Sequence, residues 1–312
     1  MLKYITTFPS PIYAEEVGLI LVTGSTGFVG RHVVKSLHSQ QKKLRCLVRS
    51  PRKAEALQGL AAEISFGDVT DLSALETALA GVDIVIHLAA IIRESKGATF
   101  HKVNYQGTKN LVAAARKQGV RRIIYMSNLG AGPAPEYPFL RSKWLAEEEV
   151  RQSGMEHIIL RPSIIYGEGD QFINTLASLI RRTPVVPVPG SGKTRFQPIA
   201  VKDVARCIVV AAENHHLLGQ IVALGGPEHL SYEEILDIII AVLKLKRRKI
   251  HLPLPLLRPG VWLLERLLPQ PPVTTAQLAM LTIDNVTTLD CVENAFGFTP
   301  TPLREGIQYI QI

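Results

Sequence analysis

The chain has 312 residues, 46% of them hydrophobic, and 35 Lys and Arg against 27 Asp and Glu give it a net charge of +8. That length holds one large domain or two lobes around a sizeable core, and the composition excludes a disordered, collagen-like or disulfide-stapled chain. The charge is local. From Val17 to Ala54 there is no acid, while Arg31, Lys35, Lys42, Lys43, Arg45, Arg49, Arg52 and Lys53 supply eight positive charges; taking these eight from 35 leaves 27, equal to the 27 acids. A nucleic-acid binder spreads its cations along a continuous face, so this pattern points to a local anion and away from nucleic acid.

Residues 1–17 contain Pro9, Pro11 and Glu15-Glu16 and lack the unbroken apolar core of a signal peptide, so they read as a flexible leader. Strand signals follow at Gly18–Thr23, Leu44–Val48, Ile64–Phe66, Asp83–Leu88, Arg122–Met126 and His157–Leu160. Helical spacing lies between them, at Val29 to Leu37, from Asp71 to Leu79, from Phe100 to Gln118 and from Phe139 to Gln152. This alternation predicts an α/β fold, a Rossmann-type doubly wound parallel sheet, because each parallel connection needs a crossover. We expect residues 18–163 to form this domain. Residues 164–312 are expected to form a smaller C-terminal α/β lobe on the substrate or partner side, with segments returning to the core. Helices are expected there at Val201–Asn214, begun by a capping Asp203, and at Ser231–Lys246. Cys46, Cys207 and Cys291 are far apart, and His215-His216 has no further ligand at metal spacing. No metal site or disulfide is expected, and a reducing cytoplasm fits.

The most informative segment is Thr23-Gly-Ser-Thr-Gly-Phe-Val-Gly30, set between a predicted strand and a predicted helix. Glycines there allow a tight turn, close approach of backbone to a pyrophosphate and close helix packing, and the helix N-terminus offers free N–H groups. Gly24, Thr26, Gly27, Phe28, Val29 and Gly30 are therefore candidate dinucleotide-binding residues. Nineteen residues beyond Gly30, where an NAD site places an acid, stands Arg49, followed by Arg52 and Lys53. Cations there suit a 2′-phosphate, so NADP(H) is favoured over NAD(H). Asp68 and Val69, after the third strand, are candidates for the adenine. Leu88, Ala89 and Ala90, after the fourth, are small enough to pack against a ribose.

Together with His87-Leu-Ala-Ala90, Val103-Asn-Tyr-Gln-Gly-Thr108, Arg161-Pro-Ser-Ile-Ile-Tyr-Gly167, Val201-Lys-Asp-Val-Ala205 and Phe296-Gly-Phe-Thr-Pro300, these residues resemble the extended and atypical short-chain dehydrogenases/reductases, the epimerase/dehydratase type. Arg195-Phe-Gln-Pro198 and the Pro/Leu-rich segment from Leu252 look most like the nicotinamide-binding accessory subunit of respiratory complex I and its bacterial relatives. The resemblance implies a catalytic role for Lys143, which would also hold the nicotinamide ribose, and for Ser127, and it adds Pro162 to the cofactor-binding residues. It also implies a Tyr four residues before Lys143. Phe139 stands there, and Tyr137 is six residues away, followed by Pro138.

Two functions follow. One is an accessory, assembly or nucleotide-sensing factor for a redox complex. The alternative is an atypical NADPH-dependent oxidoreductase acting on a small carbonyl or quinone-like substrate, assisted by Lys143 or Tyr137. Residues 244–268, five cations in six positions and then an apolar Trp-bearing stretch, suit a protein partner or a peripheral contact with an anionic membrane. They suit equally a basic helix end followed by a helix packed on the lobe.

Overall fold

The computed structural model describes residues 17–60, 62–133, 137–268 and 273–311; apart from Val17, the leader expected over 1–17 lies outside them. Six strands come first: β1 (Leu19–Thr23), β2 (Leu44–Val48), β3 (Ala62–Phe66), β4 (Val82–His87), β5 (Arg122–Met126) and β6 (Glu156–Pro162). They alternate with α1 (Phe28–Ser39), the single turn α2 (Pro51–Ala54), α3 (Leu72–Leu79), α4 (Gly107–Lys117) and α5 (Pro138–Arg151). The C-terminal part adds β7 (Ile165–Tyr166), α6 (Ile173–Arg182), β8 (Val185–Pro189), β9 (Arg195–Phe196), β10 (Ile199–Ala200), α7 (Val201–Glu213), β11 (Ile221–Leu224) and β12 (Leu230–Ser231). It ends with α8 (Tyr232–Val242), β13 (Arg248–Leu252), α9 (Leu254–Leu267), α10 (Thr275–Met280), α11 (Cys291–Phe296) and α12 (Leu303–Gly306).

Seven strands form one parallel sheet in the order β11-β6-β5-β4-β1-β2-β3, which is the expected doubly wound α/β arrangement. Side chains alternate across a strand, and both faces here are covered. In β1, Ile20 and Val22 therefore join one core with Val33, Val34 and Leu37 of α1 and with α7, while Leu21 joins the opposite core under α3 and α4. That is why β1 reads as an unbroken apolar run. A third core, with Tyr166, Ile173, Ile180, Phe196, Ile235, Ile239 and Ile307, holds the C-terminal lobe, where β8 and β13 pair in parallel.

The helix expected over Phe100–Gln118 is present, with His101–Gln106 π-helical before α4. Two local expectations are corrected. The helix expected to reach Lys246 ends at Val242, the chain turning through Lys244 at φ 54°, so Arg248 and Lys249 lie on β13 and not on a helix end. Asp203 does not cap α7; its carboxylate accepts from Thr301 N–H at 2.7 Å and ties down the C-terminal segment. The Ser231–Glu234 capping box at the start of α8 forms as expected.

Candidate functional site

Because the strands are parallel, the C-terminal ends Thr23, Val48, Phe66, His87, Met126 and Pro162 share one edge of the sheet. β1 and β4 are neighbours there although their connections leave in opposite directions, the switch point at which such sheets bind ligands. This edge brings together the glycine turn, Arg49, Asp68, Leu88–Ala90, Ser127 and Pro162. From β3 to β5 it spans about 19 Å at ordinary strand spacing, room for an extended dinucleotide.

The turn is closely packed. Gly24 has φ +69°, and a Cβ on it would lie 2.7 Å from Ala89 N and 2.8 Å from the Leu88 carbonyl carbon. A Cβ on Gly30 would lie 2.1 Å from Gly24 O. Gly27 N–H donates to Gly24 O at 3.0 Å. The Ser25 hydroxyl is buried and donates to Leu47 O at 3.4 Å. α1 opens at Gly27 with no side-chain cap and no acid in its first turn. Its leading N–H groups and dipole thus face the edge as an anion site. Val29 is buried in the core, so only its backbone can serve a ligand, whereas Phe28 and Thr26 are half-buried.

Arg49 is exposed just beyond β2, and exposed Arg52 and Lys53 follow on α2. Asp68 accepts at one carboxylate oxygen from Thr70 N–H (2.9 Å) and Thr70 O–H (2.8 Å), so it holds its own turn. Val69 is buried against Gly107, which leaves its backbone to face the edge.

Under Leu88–Ala90 runs a buried polar chain. Thr108 O–H donates to Asn104 O (2.6 Å), so Thr108 Oγ1 must accept from His87 Nε2–H (2.9 Å). His87 Nδ1 then accepts from Thr23 O–H (2.6 Å), and Thr23 Oγ1 accepts from Ala89 N–H (3.4 Å). Burial first, then the Lys143 charge, push His87 down to about 3, which keeps the ring neutral. The unfolded histidine takes its proton near 6.5, so the fold loses stability as pH falls from there toward 3. His87→Leu should flatten that acid limb in equilibrium unfolding at a series of pH values. At pH 7 it should cost about 1–3 kcal/mol, because the buried Thr23 O–H loses its acceptor; an unchanged limb would remove His87 as its source.

Asn104, in the π-helical turn, accepts from Ile91 N–H (2.8 Å) and donates to Ile91 O (3.0 Å) and Ser142 Oγ (3.1 Å). It thereby fastens the loop after β4 to α5, which carries Lys143. Lys143 is 3% exposed, donates to Met126 O at 2.7 Å and lies 4.3 Å from the centroid of the Tyr125 ring. Burial lowers it to about 7, against the opposing pull of Glu147. Glu147 is itself clamped by Arg161 through two hydrogen bonds of 2.9 and 2.6 Å. Ser127 is buried with no partner for its Oγ among the described residues, and Phe139 packs edge-on against Phe100 at 5.6 Å. Tyr137 is the extended residue before α5, outside the helix that carries Lys143. The uncapped helix, the glycines that admit backbone contact and the orphaned Ser127 hydroxyl fit a dinucleotide.

Asn104, Ser142, Glu147 and Arg161 were not singled out as site residues from sequence, nor was Asn285. Asn285 reaches the same edge from the C-terminal segment, accepting from Ser163 O–H at 2.6 Å and donating to Leu129 O at 3.4 Å. Asn104 and Arg161 had a local signal, their places in Val103–Thr108 and Arg161–Gly167. Among the described residues no cluster of His, Cys, Asp or Glu can hold a metal. His215 instead lies 3.2 Å from the Arg122 guanidinium.

The chain is 29% identical over 242 residues to the mitochondrial NADH dehydrogenase [ubiquinone] 1 alpha subcomplex subunit 9 of Arabidopsis thaliana, covering 75% of this chain and 60% of that one. It is 34% identical over 192 residues to the ceramide reductase of Caulobacter vibrioides, covering 62% of this chain and again 60% of the relative. Among solved structures, that of gox2253 is 29% identical with a TM-score of 0.74, covering 94% of this chain and 96% of that one. Residues 20–225 match the NAD dependent epimerase/dehydratase family, and the chain belongs to it, and with it to the nicotinamide-dinucleotide binders of the extended short-chain dehydrogenase/reductase type.

Proposed function

We propose that the protein holds NADP(H) across this edge and works as an accessory, assembly or nucleotide-sensing factor for a redox complex, cytoplasmic and peripheral to a membrane. Residues 18–163 form the dinucleotide-binding domain, and 164–312 the lobe that faces a substrate or partner. Gly24, Thr26, Gly27, Phe28, Val29 and Gly30 cradle the pyrophosphate, and Arg49 with Arg52 and Lys53 pairs the 2′-phosphate. Asp68 and Val69 border the adenine, Leu88–Ala90 and Pro162 border the riboses and ring, and Lys143 holds ribose hydroxyls beside Ser127. When bound, the dinucleotide supplies a hydride donor or acceptor. The tyrosine that the resemblance implies as proton donor is replaced: Phe139, packed on Phe100, stands one helical turn before Lys143, and a phenyl ring has no proton to give. That pair carries the accessory reading. The contact surface of such a factor is the segment 244–268.

A reductase reading has its own support, since a Lys143 lowered to about 7 exists in both protonation states near neutral pH and can act as an acid; one relative is named a ceramide reductase. Titration with NADPH, NADP, NADH and NAD, then single-turnover oxidation of bound NADPH by carbonyls and quinones, separates the two. Tight binding without turnover is expected. Turnover lost in Lys143→Ala and kept in Tyr137→Phe would establish a lysine-based reductase instead. For Arg49→Ala, NADPH affinity should fall by roughly 10- to 100-fold, the worth of a charge-assisted contact, with NADH affinity within about twofold. Equal losses for both nucleotides would count against the 2′-phosphate assignment.

A further inference from the structure

α9 is 14 residues long, yet Val261 is its one buried side chain. Leu254 and Leu257 lie half-buried on the same side. On the other side the helix carries a second apolar face: Leu256, Leu263 and Leu267 are 72%, 51% and 68% exposed. At 3.6 residues per turn these three fall within an arc of roughly 40° and form a strip about 16 Å long. Pro259, Gly260 and Leu264 flank the strip, and none of these six residues has a side-chain hydrogen-bonding atom.

The segment's own charges are nearly all basic, although Lys249 is paired with Glu233 and Asp237 of α8 at 2.8 and 2.6 Å. Residues 244–268 hold seven Lys and Arg against one acid, Glu265, which accepts from Thr275 N–H (3.0 Å) and O–H (2.9 Å). Lys244, Lys246 and Arg248, just before and at the start of β13, and Arg258 on α9, are exposed. At the border of the strip the Arg266 guanidinium lies over the half-exposed Trp262 ring at 4.3 Å, an aromatic–cation pair of the sort found at the headgroup level of membranes. No described helix is long and apolar enough to cross a membrane.

We infer that α9 lies in the plane of an anionic lipid bilayer, with Leu256, Leu263 and Leu267 in the acyl boundary and the flanking cations on the headgroups. This rests on the reading of 244–268 as the contact surface and commits it to lipid. The exposed leucine strip, the basic segment before it and the Trp262–Arg266 pair at its border together match what an anionic bilayer asks for, apolar area and positive charge with an aromatic ring at headgroup level. The segment 281–289 leads from this side back to the cleft, where Asn285 meets Ser163 and Leu129, so the docked face is connected to the mouth of the site.

The test is flotation of the full chain with vesicles of phosphatidylcholine, alone and mixed with phosphatidylglycerol, with dinucleotide binding measured on the same samples. We expect binding to the anionic vesicles at low salt, weakened by added salt, and a blue shift of Trp262 emission in a Trp144→Phe background. Leu263→Glu with Leu267→Glu should lower the bound fraction at least about tenfold and leave nucleotide affinity unchanged. A protein that stays in solution with both vesicle types overturns the bilayer. Equal binding to neutral vesicles overturns the role of charge. Flotation undiminished in the double variant overturns the assignment of 244–268 itself.

Discussion

Gly30→Ala is expected to abolish dinucleotide binding and to destabilise the fold by about 3 kcal/mol or more. In an exposed helix the same change would gain up to about 1 kcal/mol from propensity. Here the sign reverses, because the new methyl would sit 2.1 Å from Gly24 O and 2.8 Å from Gly24 C and Ser25 Cα, all backbone atoms. The turn cannot retreat: Gly24 is pressed against Leu88 and Ala89 behind it, and Ser25 is fastened to Leu47. α1 must tilt away from β1, which moves its N–H groups off the phosphate position. Gly27→Ala is the internal control for stability alone, since its Cβ meets only Gly24 O, at 3.1 Å, while Gly27 itself belongs to the proposed cradle. Thermal unfolding and nucleotide titration of both variants check this. A Gly30→Ala protein of unchanged midpoint that still binds NADPH would remove the turn from the site.

Lys143→Met is expected to raise stability at neutral pH while weakening the nucleotide. Lys143 titrates at about 7 in the fold against 10.5 in an unconstrained lysine. Between those values the unfolded chain holds a proton that the folded one does not, so stability rises with pH across that window. At pH 7 the fold therefore carries the penalty, worth at most about 1.4 kcal/mol for each tenfold loss of proton affinity. Methionine fills similar space without a charge. Losing the donor to Met126 O offsets about 1–2 kcal/mol of the gain, less than the penalty removed, so the net change is a stabilisation. Equilibrium unfolding between pH 7 and 10 should show the wild-type slope and a flat variant, and nucleotide affinity should fall about tenfold. A destabilised variant that keeps the slope would show that the lysine is a structural cation. A stabilised variant with the flat profile would support the proposed role of Lys143, since a residue that weakens the fold it sits in fits a position kept for a ligand.

The parts of the molecule legible in the sequence are those whose signal is contiguous. β1, β2, β4, β5 and β6 were readable because strands buried on both faces become apolar runs, and the glycine turn because its residues are adjacent. The two-residue strands β7, β9, β10 and β12 have no period to detect. The β8–β13 pair joins segments some sixty residues apart, one of them broken by Pro187 and Pro189. The site was half legible for the same reason. Asn104 with Ile91, Glu147 with Arg161 and Asn285 with Ser163 are contacts made by the fold, and nothing beside any one of them names its partner. α9 was ambiguous because leucines lie on two of its sides, and only the structure separates the inner set from the outer.

The seventh strand has a consequence for how the chain is made. β6 is translated complete by Pro162, but its outer neighbour β11 begins only at Ile221, after β7–β10, α6 and α7. Until then Ile158, Ile159 and Leu160, all fully buried in the finished protein, lie along an unpaired parallel edge. A nascent chain or truncated product ending before Leu224 presents that apolar edge to other chains. The span between synthesis of β6 and closure by β11 therefore leaves that edge open to pairing with other chains.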